Sequence, residues 1–160
     1  MGGQTGGFRI RELDAVTFDE FFGLIGKLAE YERLAPPDAA ARERLLRDGL
    51  GPSRRYEAHL GFLDGRAVAY VIFFPTYSSF LAMPTLFLED IFVVAEARRK
   101  GIGERMFAFC RKRARELGCG RMEWCVLDWN EPAARFYEKN GGERLPWFFY
   151  RMTADRLAGR

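Results

Sequence analysis

The chain has 160 residues, 48% hydrophobic and 29% charged, with a formal net charge of +3; that suits a globular protein and excludes wholesale disorder or a collagen-like repeat. No apolar run approaches the ~20 residues of a membrane-spanning helix, and the positive surplus is too small and dispersed for a nucleic-acid footprint. One histidine, His59, and three serines, Ser53, Ser78 and Ser79, leave little material for a Ser-His-Asp triad. Cys110, Cys119 and Cys125 form no C-x-x-C pair and lack histidine partners, so they read as packing thiols of a reducing cytoplasm, with no metal site expected.

Residues 1–7 are glycine-rich, without the charged and apolar regions of a signal peptide, and read as a flexible tail before one domain, 8–160. A short strand over Phe8 to Glu12 comes first. Thr17-Phe18-Asp19-Glu20 has the form of a capping box opening an amphipathic helix, which carries Phe18, Phe21, Phe22, Ile25 and Leu28 toward Glu32. A second helix runs from Asp38 to Asp48 with Gly49 as its stop. Tyr56–Leu63 and Arg66–Phe74, joined by Asp64-Gly65, give a hairpin that Pro75 ends. A loop over residues 76–84 leads to a strand over Thr85–Val94. Then come a helix over 103–117 capped by Gly118, a strand Arg121–Leu127, a helix opened by Asn130 and Pro132, and a strand Leu145–Met152. A hairpin-rich first half followed by strand-helix-strand predicts an α/β fold, a mixed sheet with helices on both faces.

The sharpest local feature is Arg98-Arg99-Lys100-Gly101-Ile102-Gly103 between a strand and a helix. A helix entered through glycines offers its first backbone N–H groups to an anion, and three cations flank them, so a phosphate or pyrophosphate is the ligand this physics suits. The third glycine of a dinucleotide fingerprint is missing, and no P-loop occurs. Phe73, Phe74, Tyr77, Phe80 and Phe87 fall mostly on strand positions without an interleaved basic stripe, and are assigned to core and interface packing rather than base stacking. His59 reads as a strand histidine with a local hydrogen bond.

Arg98, Gly101 and Gly103, in the pattern Arg-x-x-Gly-x-Gly, resemble the signature of the GNAT superfamily of acyl-CoA-dependent N-acetyltransferases. Leu28-Ala29-Glu30-Tyr31-Glu32, Leu88-Glu89-Asp90-Ile91-Phe92-Val93, Trp129-Asn130-Glu131-Pro132 and Phe136-Tyr137 extend the resemblance to its diamine and thialysine acetyltransferase branch. The resemblance implies a twisted, mostly antiparallel sheet of six to seven strands. It also implies direct acetyl transfer from acetyl-CoA to a small-molecule primary amine, and a homodimer with the 77–84 loop and the last strand as contacts. A non-catalytic CoA-binding module and a protein N-acetyltransferase are the alternatives.

The same resemblance implies that Ile91, Phe92 and Val93 pair with the pantetheine arm through a bulged main chain, while Arg98, Arg99, Lys100, Gly101, Ile102 and Gly103 hold the phosphates and Asn130 positions the arm. Tyr137 is the implied general acid for the thiolate, a phenol that stays protonated at neutral pH. Glu89 is implied as the group that attracts the amine and accepts its proton through water, with Tyr31, Glu32 and Asp90 bordering the acceptor groove. Adjacent on the expected strand, Glu89 and Asp90 should face opposite ways and not act as a pair. The loop Thr76-Tyr77-Ser78-Ser79-Phe80-Leu81-Ala82-Met83-Pro84 lacks the carboxylate and tryptophan usual in polyamine enzymes, which keeps polyamines and lysine-like amines both open.

Overall fold

The computed structural model describes residues 7–159, so the expected flexible tail lies, apart from Gly7, outside the described residues. The chain divides into two compact units, the first ending at Cys125 and the second beginning at Val126. In the first, β1 (Arg9–Glu12), β2 (Glu57–Leu63), β3 (Arg66–Ser78), β4 (Met83–Val93) and β5 (Arg121–Glu123) form one sheet in that spatial order. The first three pairings are antiparallel, and β4 with β5 is parallel.

Five strands replace the six to seven expected. Residues 145–152 form no strand among the described residues, and Trp147, Phe148, Phe149 and Tyr150 stand 73%, 87%, 71% and 88% exposed. Strand-forming residues hold a strand only when a ladder partner and a buried face accept them. β5 likewise stops at Glu123 rather than Leu127, since its register with β4 covers only Thr85–Phe87. β3, by contrast, outruns its predicted end: Pro75 pairs with Leu86 and the ladder continues to Ser78. β2 ends opposite Phe73, so beyond it β3 is bare on that side, where a residue without an N–H is tolerated.

α1 (Phe18–Glu32), α2 (Ala39–Leu50) and α3 (Ile102–Glu116) complete this unit. The capping box does not form; Thr17 instead donates its hydroxyl and its N–H to Asp14 Oδ1, each at 2.8 Å, so the loop before the helix takes the groups the cap would have used. Asp38, expected as the first residue of the second helix, is instead the cap of α2, accepting from the Ala41 N–H at 2.7 Å. Gly49 is not that helix's stop but lies inside it, where a Cβ would come within 2.3 Å of the Tyr56 hydroxyl; close approach explains the glycine.

Helices cover both faces of the sheet. Phe21 of α1 meets the ring of Tyr70 edge-on at 5.4 Å. His59, which with its strand partner Val71 faces away from Tyr70, packs at 4.4 Å on Phe109 of α3. Tyr70, Phe21, Leu60, Met106 and Cys110 are fully buried, so the core lies on either side of β2, β3 and β4. His59 does not find its expected hydrogen bond: Nδ1 is buried without a partner, and Nε2 is 3.7 Å from Glu57, which is held by both arms of Arg113 at 2.8 and 2.9 Å. The second unit contains α4 (Glu131–Lys139) and a single-turn helix, α5 (Ala154–Leu157).

Candidate active site

β4 carries a bulge at a functional position. Phe73 pairs with Leu88 and Ile72 with Asp90, leaving Glu89 as the extra residue of the longer strand. Alternation is therefore interrupted: Leu88 lies on the α3 face with Phe73, whereas Asp90, two residues on, lies with Ile72 on the α1 face. The reading of Glu89 and Asp90 as strictly opposed fails for that reason, because it assumed an unbroken pleat. Past Phe87 no strand pairs with β4 on the β5 side among the described residues. From Glu89 to Val93 that edge offers main-chain donors and acceptors to an extended ligand.

The open edge runs directly into the glycine loop. After Val93 come a 3-10 turn, Ala95–Ala97, then Arg99 at φ 60° and Gly101 at φ 72°, both left-handed. Gly101 is the N-cap of α3, no side chain caps the helix there, and a Cβ on Gly101 would meet nothing within 4 Å. Its requirement is thus conformational, and the helix end stays free for an anion. Arg99 and Lys100 are exposed and enter no ion pair among the described residues. Ile102 is buried and anchors the turn. Arg98 behaves differently: its Nε donates to the Val93 carbonyl at 2.9 Å while its guanidinium lies 4.8 Å over Tyr31 and 5.7 Å over Phe92. It ties the end of α1 to the end of β4.

Five acidic or phenolic groups meet beside that tie. Tyr31 and Glu32, half-buried, end α1. Arg33 turns the chain in a left-handed conformation, φ 58°, and its N–H and that of Leu34 donate to Glu30 and Ala29, so the helix ends before Pro36 intervenes. Burial raises the Glu32 carboxyl above its ordinary value. Burial also pushes Asp90 up to about 6, against the hydrogen bond from Tyr70, and the charges of Glu89 and Glu32 add to the rise. The Tyr70 hydroxyl donates to Asp90 Oδ2 at 3.0 Å, and burial, then Asp90, holds its proton on far beyond the usual phenol range. With Glu32 and Glu89 both within electrostatic reach of Asp90, the three carboxylates suit a positively charged group. Among the described residues no such group has the arrangement of a metal site.

The sequence-selected residues Tyr31, Glu32, Glu89, Asp90 and Arg98 are thus gathered at one end of the sheet. Tyr70 was missed. Its signal was faint, a tyrosine among apolar strand residues whose hydroxyl needs a partner once buried. Cys125 is exposed, unlike the packing thiol expected, and after burial it is the Glu89 charge that raises its pKa, which puts it beside the same end of β4. Cys110 is fully buried as read. In the second unit Asn130 caps α4, accepting from the Ala133 N–H at 3.3 Å, and Tyr137 is half-buried against Phe136, ring centroids 5.3 Å apart.

Comparison with known proteins gives the family. Residues 20–142 match the model of the acetyltransferase (GNAT) family. Across 166 residues the chain is 30% identical to a thialysine N-epsilon-acetyltransferase of Bos taurus, covering 94% of this chain and 97% of that one. An L-ornithine N5-acetyltransferase of Arabidopsis thaliana is 45% identical over 95 residues, 59% of this chain but only 42% of that protein's length. Among solved structures, a probable acetyltransferase superposes with TM-score 0.78 at 24% identity, covering 91% and 97% of the two chains. An aminoglycoside N-acetyltransferase in complex with CoA gives 0.79 at 18% identity, covering 96% and 99%. The protein belongs to the GNAT acetyltransferase family and is an N-acetyltransferase.

Proposed function

We propose that the protein, with residues 8–160 acting as one catalytic domain, transfers the acetyl group of acetyl-CoA directly to the primary amine of a small cationic molecule. Lysine- or ornithine-like amino acids are favoured over long polyamines. The observation that carries this reading is the cluster of Glu32, Glu89 and Asp90 beside an unpaired strand edge that leads into an uncapped helix N-terminus. The thialysine and ornithine activities of the relatives support the substrate class.

The CoA pyrophosphate sits at the α3 N-terminus, held by the backbone of Gly101, Ile102 and Gly103 and by Arg99 and Lys100. The pantetheine arm lies along Ile91–Val93 as an added strand. The cluster holds the substrate ammonium, and Glu89 takes one proton from it through water. The amine nitrogen then attacks the thioester carbon, and main-chain N–H groups of the β4 edge stabilise the oxyanion. As the C–S bond breaks, Tyr137 gives its proton to the CoA thiolate and regains one through water from the acylated nitrogen; Asn130 orders the start of the helix that carries Tyr137.

Three free cysteines and the absence of any disulfide among the described residues support a reducing, cytoplasmic setting. Tyr77, Phe80, Leu81 and Met83, 69%, 98%, 45% and 41% exposed around the β3–β4 turn, support that turn as a homodimer contact, which light scattering tests. For the activity, the purified protein is supplied with acetyl-CoA and thialysine, ornithine, lysine, spermidine or putrescine, and thiol release is followed. Highest kcat/KM on the amino acids is expected. Acetyl-CoA binding without turnover of any amine overturns the reading.

A further inference from the structure

Tyr70 lies in the middle of β3, at a position the chemistry above does not use. Tyr56, half-buried, and Tyr70, fully buried, place their hydroxyl protons differently. Tyr56 gives its hydroxyl proton to a backbone carbonyl, that of Leu45, at 2.6 Å. Tyr70 gives its proton to a carboxylate, Asp90 Oδ2, at 3.0 Å. A carbonyl satisfies a buried hydroxyl at no electrostatic cost, whereas a half-buried carboxylate among other carboxylates costs stability. An arrangement that burdens the fold without need points to a task beyond packing.

The geometry supports such a task. Tyr70 is fully buried, wedged edge-on against Phe21 at 5.4 Å and against Phe92 at 6.2 Å, so the ring has a single setting. Its strand partner is Phe92, while Asp90 is partnered by Ile72, which makes Tyr70 and Asp90 diagonal neighbours on one face. They share that face only because the bulge at Glu89 shifts the alternation of β4 by one residue. With Oδ2 engaged, Oδ1 takes no hydrogen bond from the described residues, and it is not sealed from solvent. One oxygen is held and the other presented.

We propose that Tyr70 is a positioning residue for amine capture: its hydroxyl fixes the Asp90 carboxylate so that Oδ1 points into the acceptor groove, where it pairs with the substrate ammonium. The inference rests on the amine-acetylating reading of this site. Groups facing Asp90 are Tyr70 from β3, Glu32 from the end of α1 and Glu89 on β4 itself; Arg98 lies further along the same face, over Tyr31 and Phe92. Of these only Tyr70 favours the ionised carboxylate, since Glu32 and Glu89 oppose it with like charge.

Tyr70→Phe removes one oxygen and leaves the ring. Without the hydroxyl, Asp90 ionises at higher pH, and the loss of a hydrogen bond to a charged group corresponds to a shift of about one unit. The ratio of variant to parent kcat/KM for the amine, in which the amine's own titration cancels, is expected near a constant value above pH 8. It falls ~ten-fold further below pH 6, with KM for acetyl-CoA unchanged. In an Asp90→Asn background the same substitution produces no further pH dependence. Carbon-detected NMR titration of the Asp90 carboxyl in parent and Tyr70→Phe reports the midpoint without any turnover, so it stands even if no amine is acetylated. A higher midpoint in the variant supports the inference; an unchanged or lower one overturns it, as does a variant-to-parent ratio that is the same at every pH.

Discussion

Asp90→Asn should make the protein more stable while damaging its activity, and the gain should depend on pH in one direction. The folded-state value of about 6 lies above the reference of 3.8, so the fold favours the protonated acid. Parent stability from this group is full below pH ~4 and is lost as pH rises through about 6. The shift of about two units corresponds to about 3 kcal/mol at neutral pH. Asparagine stays neutral, and its carbonyl still accepts from Tyr70. The variant should therefore match the parent near pH 4 and exceed it by up to ~3 kcal/mol at pH 7.5, a rise in Tm of roughly 10 °C for a chain of this length. Urea unfolding at intervals between pH 4 and 8, followed by circular dichroism, measures the difference, while thiol release at saturating acetyl-CoA measures a raised KM for the amine. A variant no more stable at pH 7.5, or one whose gain is the same at every pH, refutes the reasoning.

Other substitutions separate the remaining roles. Tyr137→Phe should lower kcat by ~10² or more while KM for acetyl-CoA changes little, as loss of a general acid requires; an unchanged kcat in steady-state assays removes Tyr137 from the chemistry. Gly101→Ala places a Cβ at φ 72°, where space is ample but the backbone is strained, so about 1 kcal/mol of stability and several-fold in acetyl-CoA affinity should be lost, as read by melting and calorimetry. Burial lowers the His59 pKa below its ordinary value, so parent stability falls as pH drops through the ordinary histidine range; His59→Phe should remove that slope in acid-unfolding curves.

Local chemistry alone made much of this protein legible. Period-three and period-four apolar spacing located α1 and α3, Asn130 announced the start of α4, and Asp64-Gly65 announced the β2–β3 turn, because each signal acts within one or two turns of chain. The glycine loop was legible for the same reason, since left-handed Gly101 and the helix behind it are neighbours in sequence. Long-range pairing decided the rest. Residues 145–152 have strand composition and form no strand, and Pro75 has the look of a terminator yet sits inside β3, because ladder partners rather than propensity set both outcomes. A bulge on this strand was implied by the family resemblance alone; its place at Glu89 belongs to a register between strands, and it alone brings Asp90 to the face of Tyr70. Sequence named the carboxylates and the anion loop; tertiary structure decided which of them face one another, since burial and register are properties of the partner as much as of the residue.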